Sequence, residues 1–356
     1  MVLFVKKYYL CSMEDYMNIS AFLIGVSTAF FTIFALHILF WRKRRTRFQC
    51  VLGSIMAVWA LWNLKDIVIT FPGMYTPEVL NWIFIIDAWS ALTYTVFVFE
   101  AVMSGWTTPG RLSLLSLPFA LFTLLFYIWP VQQVIYALTA FLWFYAWTIV
   151  AIGWVKVKRH IRYVRENFSN IDRIDVAWLK PVFVFCIVSQ LAWLFTSLYA
   201  TVFTDIVYYI SAILLWLMVL YYSWDFRPIA AEHKEEPLPV SQRETLPIAE
   251  GALEELVEGQ RLYLNKNLTL ADLAQAMNTN RTYVSNYLSQ VRGQTFYDYI
   301  NQLRIEHISI PMLKEHPEYT LEYVATESGF AAISTFRRAF TKLTGQTPRQ
   351  FSISEE

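Results

Sequence analysis

Seven long apolar runs fill the first 224 residues, at roughly 19–41, 48–71, 79–104, 112–129, 131–155, 181–203 and 205–224. Each is close to the roughly 20 residues a helix needs to cross about 30 Å of hydrocarbon. Two neighbouring pairs are nearly continuous and must fold back. One helix over 112–155 would be about 66 Å long, so the chain is expected to turn at Trp129-Pro130, where proline lacks a backbone donor. The stretch 181–224 poses the same problem, and Thr204-Asp205 is its expected turn. After Asp225 the apolar runs stop. Residues 225–250 read DFRPIAAEHKEEPLPVSQRETLPIAE and show no apolar periodicity. That composition predicts an extended tether. From residue 251 the pattern becomes that of short amphipathic helices. The chain therefore reads as all-α in three parts: a seven-helix bundle at 1–224, a linker at 225–250 and a helical module at 251–356.

Lys and Arg orient the bundle. Arg42, Lys43, Arg44, Arg45 and Arg47 follow the first run; Lys156, Lys158, Arg159, Arg162, Arg165 and Arg173 follow the fifth. Arg111 and Arg227 lie on the same side. The loops near 72–78, 130 and 204 carry neither residue type, and only Lys6 and Lys7 fall opposite. The positive-inside rule then puts the N-terminus outside and the C-terminus in the cytoplasm, which requires an odd number of spans. A multi-pass protein of the lipid bilayer is expected.

Composition agrees with the split, since all 14 Trp precede Asp225. Trp41, Trp82, Trp106, Trp129, Trp178 and Trp224, near run ends, read as interfacial anchors. Cys11, Cys50 and Cys186 are scattered and fit neither a metal site nor a disulfide framework. No nucleophile–base set or phosphate loop appears, so no catalytic residue, metal or cofactor is expected. His37, Lys65, Asp66, Asp87 and Glu100 are ionisable residues inside the runs. Such residues are costly in lipid and usually face the protein interior. Lys65 and Asp87 fall at similar depth and could pair, and His37 and Glu100 share a depth near the inner face. Asn63, Ser189 and Gln190 could line the same space. These groups are either glue between helices or a polar signal-sensing pocket.

The module contains the same arrangement twice. In LTLADLAQAMNTNRTYVSNYLSQVRG, Thr269 can cap a helix with Asp272 as its capping-box partner. Leu270, Leu273, Ala274 and Met277 form one apolar face, and Asn278-Thr279-Asn280 makes a turn. A second helix buries Val284, Leu288 and Val291. Its other face offers Arg281, Thr282, Tyr283, Ser285, Asn286 and Ser289. In TLEYVATESGFAAISTFRRAFTKLTG, Leu321, Val324 and Ala325 precede a Ser328-Gly329 turn. Phe336, Phe340 and Leu343 then form the buried set, opposite Ser334, Arg337, Arg338, Thr341 and Lys342. Two helices joined by a short turn are the layout of a helix-turn-helix unit, whose second helix can enter a major groove. Arg can fork onto guanine or hold phosphate. Between the units, Phe296, Tyr299, Ile300, Leu303 and Ile310 mark a connecting helix. At 15–20 residues it would be about 22–30 Å long, able to hold the reading helices near one DNA turn apart.

Residues 252–352 resemble the AraC/XylS-type DNA-binding domain. The resemblance is carried by VATESGFAAISTFRRAFTKLTGQTPRQF, with Ala325, Gly329-Phe330, Phe336, Phe340 and Gly345-Gln346-Thr347-Pro348 at the family's positions. The chain as a whole resembles bacterial membrane-bound members. The resemblance implies control of transcription through double-stranded promoter DNA, with a homodimer on the DNA and the inner membrane as location. The bundle would then sense an unknown ligand or membrane partner. A transporter or receptor whose C-terminal module is a regulatory or protein-docking appendage is the alternative. Three features depart from the pattern. Pro311 should kink or end the connecting helix. Ile333 stands where the family usually has a polar residue. Residues 251–356 carry ten Lys and Arg against twelve Asp and Glu, an unusual balance for a DNA binder.

Overall fold

The computed structural model describes the backbone of residues 2–43, 45–71, 74, 76–198, 202–228 and 251–354. Side chains are described over the same ranges except at 2–17, 20, 69–70, 189–198, 202–205, 208 and 353–354. The chain divides into two compact units, one of residues 1–157 with 176–234, the other of 158–175 with 235–356. The second unit therefore contains a segment, 158–175, that lies in sequence within the expected N-terminal bundle. Among the described residues there are helices and a single isolated bridge, but no β-strand.

The first unit contains α1 (Val2–Leu36), α2 (Arg47–Lys65), α3 (Pro77–Ala88), α4 (Ser90–Val102), α5 (Pro109–Ile128), the first part of α6 (Gln132–Asn167), α7 (Leu179–Leu198) and α8 (Val202–Ser223). Local sequence sets several starts. The Thr46 hydroxyl accepts from Gln49 N while the Gln49 side chain accepts from Thr46 N, closing a capping box. Thr76 and Thr108 cap α3 and α5, each followed by a proline in the first turn. Among the described residues five stretches are long and apolar enough to cross a membrane: Ala21–Trp41, Arg47–Val68, Pro77–Val102, Pro109–Ile128 and Gln132–Asn167. Leu179–Val188 and Tyr209–Ser223 are shorter apolar helices.

The break between α5 and α6 falls at residues 129–131, around Trp129-Pro130. The expected turn at Thr204-Asp205 does not form there, because both residues lie within α8; α7 ends at Leu198, and 199–201 lie outside the described residues. Helix α6 also continues well past the expected end of its run. Residues 156–167, KVKRHIRYVREN, keep a helical alternation of basic and apolar residues after hydropathy has fallen.

Aromatic rings dominate the interior of this unit. Phe31 of α1, Trp59 of α2, Tyr94 and Phe97 of α4 and Trp216 of α8 form a contiguous cluster, with Tyr94 stacked on Trp216 at 5.7 Å. Ile85, Phe119, Phe126 and Leu138 make a second core between α3, α5 and α6. The outer surface is apolar as well: Leu114, Leu117, Leu121 and Leu124 form an exposed stripe along α5. The supposed anchors divide. Trp41 and Trp129 are exposed, whereas Trp106 stacks on Phe99 and Trp178 packs on Phe97 and Phe226.

The second unit adds α9 (Ala252–Gly259), α10 (Leu270–Ala276), α11 (Arg281–Gln290), α12 (Phe296–Arg304), α13 (Ile310–Glu315), α14 (Leu321–Glu327), α15 (Ile333–Thr344) and α16 (Pro348–Ser354). It has two cores. Leu253, Val257, Leu270, Leu273, Val284, Leu288, Phe296 and Ile300 belong to the first. Ile305, Leu313, Val324, Phe330, Phe336 and Phe340 belong to the second. Pro311 neither ends nor breaks the connection between them. A π-turn over Ile305–Ser309, closed by Ile310 N on Ile305 O, joins α12 to α13. Pro311 then sits in the first turn of α13, where a missing donor costs nothing. The Ser309 hydroxyl donates to Arg304 O inside this widened turn and lies 2.7 Å from the Ser328 hydroxyl.

Candidate nucleic-acid interface

Caps and turns set both helix pairs of the second unit. Thr269 and Asp272 close a capping box at the start of α10. Asn278 turns the chain at φ 53°, a conformation Asn tolerates better than most residues. Asn280 Oδ1 then accepts from Tyr283 N, capping α11. In the second pair Thr320 caps α14, and Gly329 turns the chain at φ 84°. A Cβ on Gly329 would stand 2.8 Å from Leu264 O, so this turn needs glycine for space as well as for backbone angle.

The buried faces decide which residues point outward. On α11, Val284 and Leu288 are fully buried, and Thr282, Tyr283, Asn286 and Ser289 are exposed. Arg281 and Ser285 are half-buried. On α15, Phe336 and Phe340 are buried, leaving Ser334, Arg337, Arg338, Thr341 and Lys342 exposed on one helix. Two expected core residues prove to be surface residues. Val291 is 58% exposed because α11 stops at Gln290, before the helix can carry it inward. Leu343 is 39% exposed, displaced from the core by Phe351 of α16, which packs on Phe340 at 5.4 Å.

Several polar groups are already engaged. Lys342 Nζ lies 2.7 Å from Asp298 Oδ1 on α12. Arg338 Nη2 donates to Thr335 Oγ1 at 3.4 Å. Tyr287 of α11 and Arg292 just beyond it both bond Glu254, tying α11 to α9. That hydrogen bond to Glu254 holds the Arg292 guanidinium above its usual range.

Sequence reasoning missed the most deeply embedded charge of the unit, Arg304, whose exposure is 1%. Its guanidinium donates to Tyr263 O at 2.6 Å, Asn265 O at 2.8 Å and Asn301 Oδ1 at 3.0 Å, and lies over the Phe330 ring. Burial pushes this arginine down to about 10, which leaves it charged at neutral pH. The only sequence signal is an arginine four residues after Ile300 on an otherwise apolar face.

In the first unit the intramembrane candidates fall into separate groups. Lys65 pairs with Asp66 and sits 2.7 Å from Asp87 Oδ1, and the Tyr209 hydroxyl donates to Asp66 at 3.1 Å. Glu100 is elsewhere and fully buried. It accepts from Gly105 N and Thr107 N, both at 2.8 Å, and lies 3.3 Å from Arg47 Nε. His37 does not join Glu100; it stacks on Trp224 at 5.3 Å. Asn63 donates to Trp59 O within its own helix. The side chains of Ser189 and Gln190 lie outside the described residues. Among the described residues no group of three or more His, Cys, Asp or Glu could hold a metal ion.

Residues 273–352 match the family described as Helix-turn-helix domain. Over 89 residues, 25% of the chain, it is 36% identical to the HTH-type transcriptional regulator YobQ of Bacillus subtilis (strain 168) and covers 36% of that protein. Over 90 residues it is 27% identical to HTH-type transcriptional regulators of Staphylococcus aureus strains COL and MSSA476. That match takes in 25% of this chain and only 12% of each Staphylococcus protein. No solved structure matches the chain significantly. The C-terminal region is a helix-turn-helix domain of the AraC type, of the kind found in DNA-binding transcriptional regulators.

Proposed function

We propose that the protein is a membrane-tethered, sequence-specific transcription regulator with two DNA-reading helices, α11 and α15. The observation that carries the reading is the geometry of α15. Phe336 and Phe340 anchor it inward, so Arg337, Arg338, Thr341 and Lys342 project together from its exposed side. Arg338 reads a base, with Ser285 and Asn286 as its counterparts on α11. Arg337, Lys342 and Arg281 hold phosphates. Lys342 exchanges its Asp298 partner for phosphate when DNA arrives.

Tethering is supported by the five long apolar stretches and the outward leucine stripe of α5. Apolar side chains on that scale outside a core suit lipid better than water. With the two shorter apolar helices the count reaches seven spans, N-terminus outside and C-terminus in the cytoplasm. The bundle senses a signal, and the Lys65–Asp66–Asp87–Tyr209 cluster is the polar site that tunes it. The module carries no excess of positive charge, so each copy binds modestly and two copies act on adjacent sites.

Gel-shift titration at two salt concentrations tests the DNA-binding part. Sequence-selective binding by residues 251–356, artificially dimerised, is the expected result. Its absence would replace the regulator reading with a protein-docking module.

A further inference from the structure

The segment 158–175 lies between two apolar runs, yet it is part of the same compact unit as the helix-turn-helix domain. Its contacts there are specific. Phe168 and Thr269 form an antiparallel bridge. Ser169 donates to Leu268 O twice, from its backbone N at 3.2 Å and its hydroxyl at 2.8 Å. Leu268 and Thr269 are the entry to α10, so the segment holds the first helix pair at its N-cap. Arg304 reaches the same segment, donating to Ser169 O at 3.5 Å and Ser169 Oγ at 3.4 Å. Three residues on, Asp172 accepts a hydrogen bond from the hydroxyl of Thr335 on α15. The residues around Ser169 thus touch the first helix pair, the connecting helix and the second reading helix in turn. Asn286 and Ser289 on α11 and Arg337, Arg338, Thr341 and Lys342 on α15 stay exposed, so the segment does not cover these side chains.

We infer that the surface formed by Leu268-Thr269, Arg304 and Thr335 is a docking site for this chain's own segment 168–172, which fixes the spacing of α11 and α15. The connecting helix passes between the two cores through one π-turn, where the regular helical hydrogen bonding is interrupted. A strap that grips both sides of it pre-organises the pair for adjacent grooves. The strap is continuous in sequence with α6 and α7. A change in those helices therefore has a covalent route to the DNA-reading unit through 168–172. The functional consequence rests on the DNA-binding reading; the docking itself does not.

The test uses the full chain in lipid nanodiscs with Cys11, Cys50 and Cys186 replaced. Spin labels at Ser289→Cys and Thr341→Cys report the distance between the reading helices without any DNA. A single narrow distance is expected for the parent chain, and a broadened or shifted one for Ser169→Pro, which removes both donors to Leu268. Asp172→Ala, which leaves the Arg304 cage intact, should broaden it less. In a separate chain, Phe168→Cys with Thr269→Cys should cross-link readily, because bridge partners stand about 4.5–5.5 Å apart at Cα, within disulfide reach. Unchanged distances in both variants, or no cross-link, overturn the docking. DNA affinity is then compared: Ser169→Pro should lose about tenfold, equivalent to roughly 1.4 kcal/mol. If the parent binds no DNA, the regulator reading fails while the distances still decide the docking.

Discussion

Replacing Arg304 with Met keeps most of the side-chain volume and removes every donor. In the folded protein the guanidinium satisfies Tyr263 O and Asn301 Oδ1, both buried, at 2.6 and 3.0 Å, and the more open Asn265 O at 2.8 Å. Each acceptor left buried and unpaired costs about 1–3 kcal/mol. The apolar methionine recovers part of that, since desolvating the charge no longer opposes folding. A net loss of about 3–5 kcal/mol follows, a large share of a domain's usual stability of about 5–15 kcal/mol. With a urea dependence near 2 kcal/mol per molar, the unfolding midpoint of the second unit should fall by about 2 M. Pulse proteolysis of the full chain in graded urea, followed by blotting for the C-terminus, reads that midpoint. Arg304→Lys should fall between, because an ammonium keeps the charge but cannot span all three acceptors. A drop of less than about 0.3 M for Arg304→Met would refute the reasoning. It would mean that the caged guanidinium is not what joins the segment before α10 to the connecting helix.

Four further outcomes are expected. Gly329→Ala meets both a left-handed backbone and Leu264 O at 2.8 Å, so it should destabilise the unit by roughly 1–3 kcal/mol in the same proteolysis assay. Arg338→Ala should cost about 1–3 kcal/mol of DNA binding and relax one base position, whereas Lys342→Ala should weaken all sequences alike and flatten the salt dependence. Lys65→Met should destabilise the first unit, with Asp87→Asn partly restoring it; additive effects in that double-mutant cycle would remove the pair from the account. Reporter fusions at Pro130 should report outside and at Glu232 inside, and an outside signal at Glu232 would sink the topology.

The sequence was most legible where the determinants are local. The Thr269–Asp272 capping box, the Asn278-Thr279-Asn280 turn and the inward Val284, Leu288, Phe336 and Phe340 follow from neighbouring residues, and the structure has all of them. Boundaries were less legible. Val291 and Leu343 continue the apolar period but stand at a helix end and beside α16, so periodicity alone assigns them inward. Pro311 looks like a helix breaker until the π-turn shifts it into a first-turn position, a rearrangement no local propensity announces. Hydropathy ended the fifth run near 155, yet the helix runs to Asn167 because backbone bonding does not stop where lipid would. The long-range contacts were not legible at all. Arg304, Ser169, Asp172 and Thr335 are scattered over more than 160 residues, and their meeting depends on the tertiary packing of elements that no single helical period encodes.

The central claim is that a protein held in a membrane reads DNA sequence. The most direct measurement presents the full chain in lipid nanodiscs with a random duplex pool and sequences what is retained at physiological salt. The account predicts enrichment of a motif with two blocks about one helical turn apart, and loss of preference at one position of one block for Arg338→Ala. Retention of DNA without any enriched motif, or enrichment unaffected by Arg338→Ala and Asn286→Ala together, would contradict it.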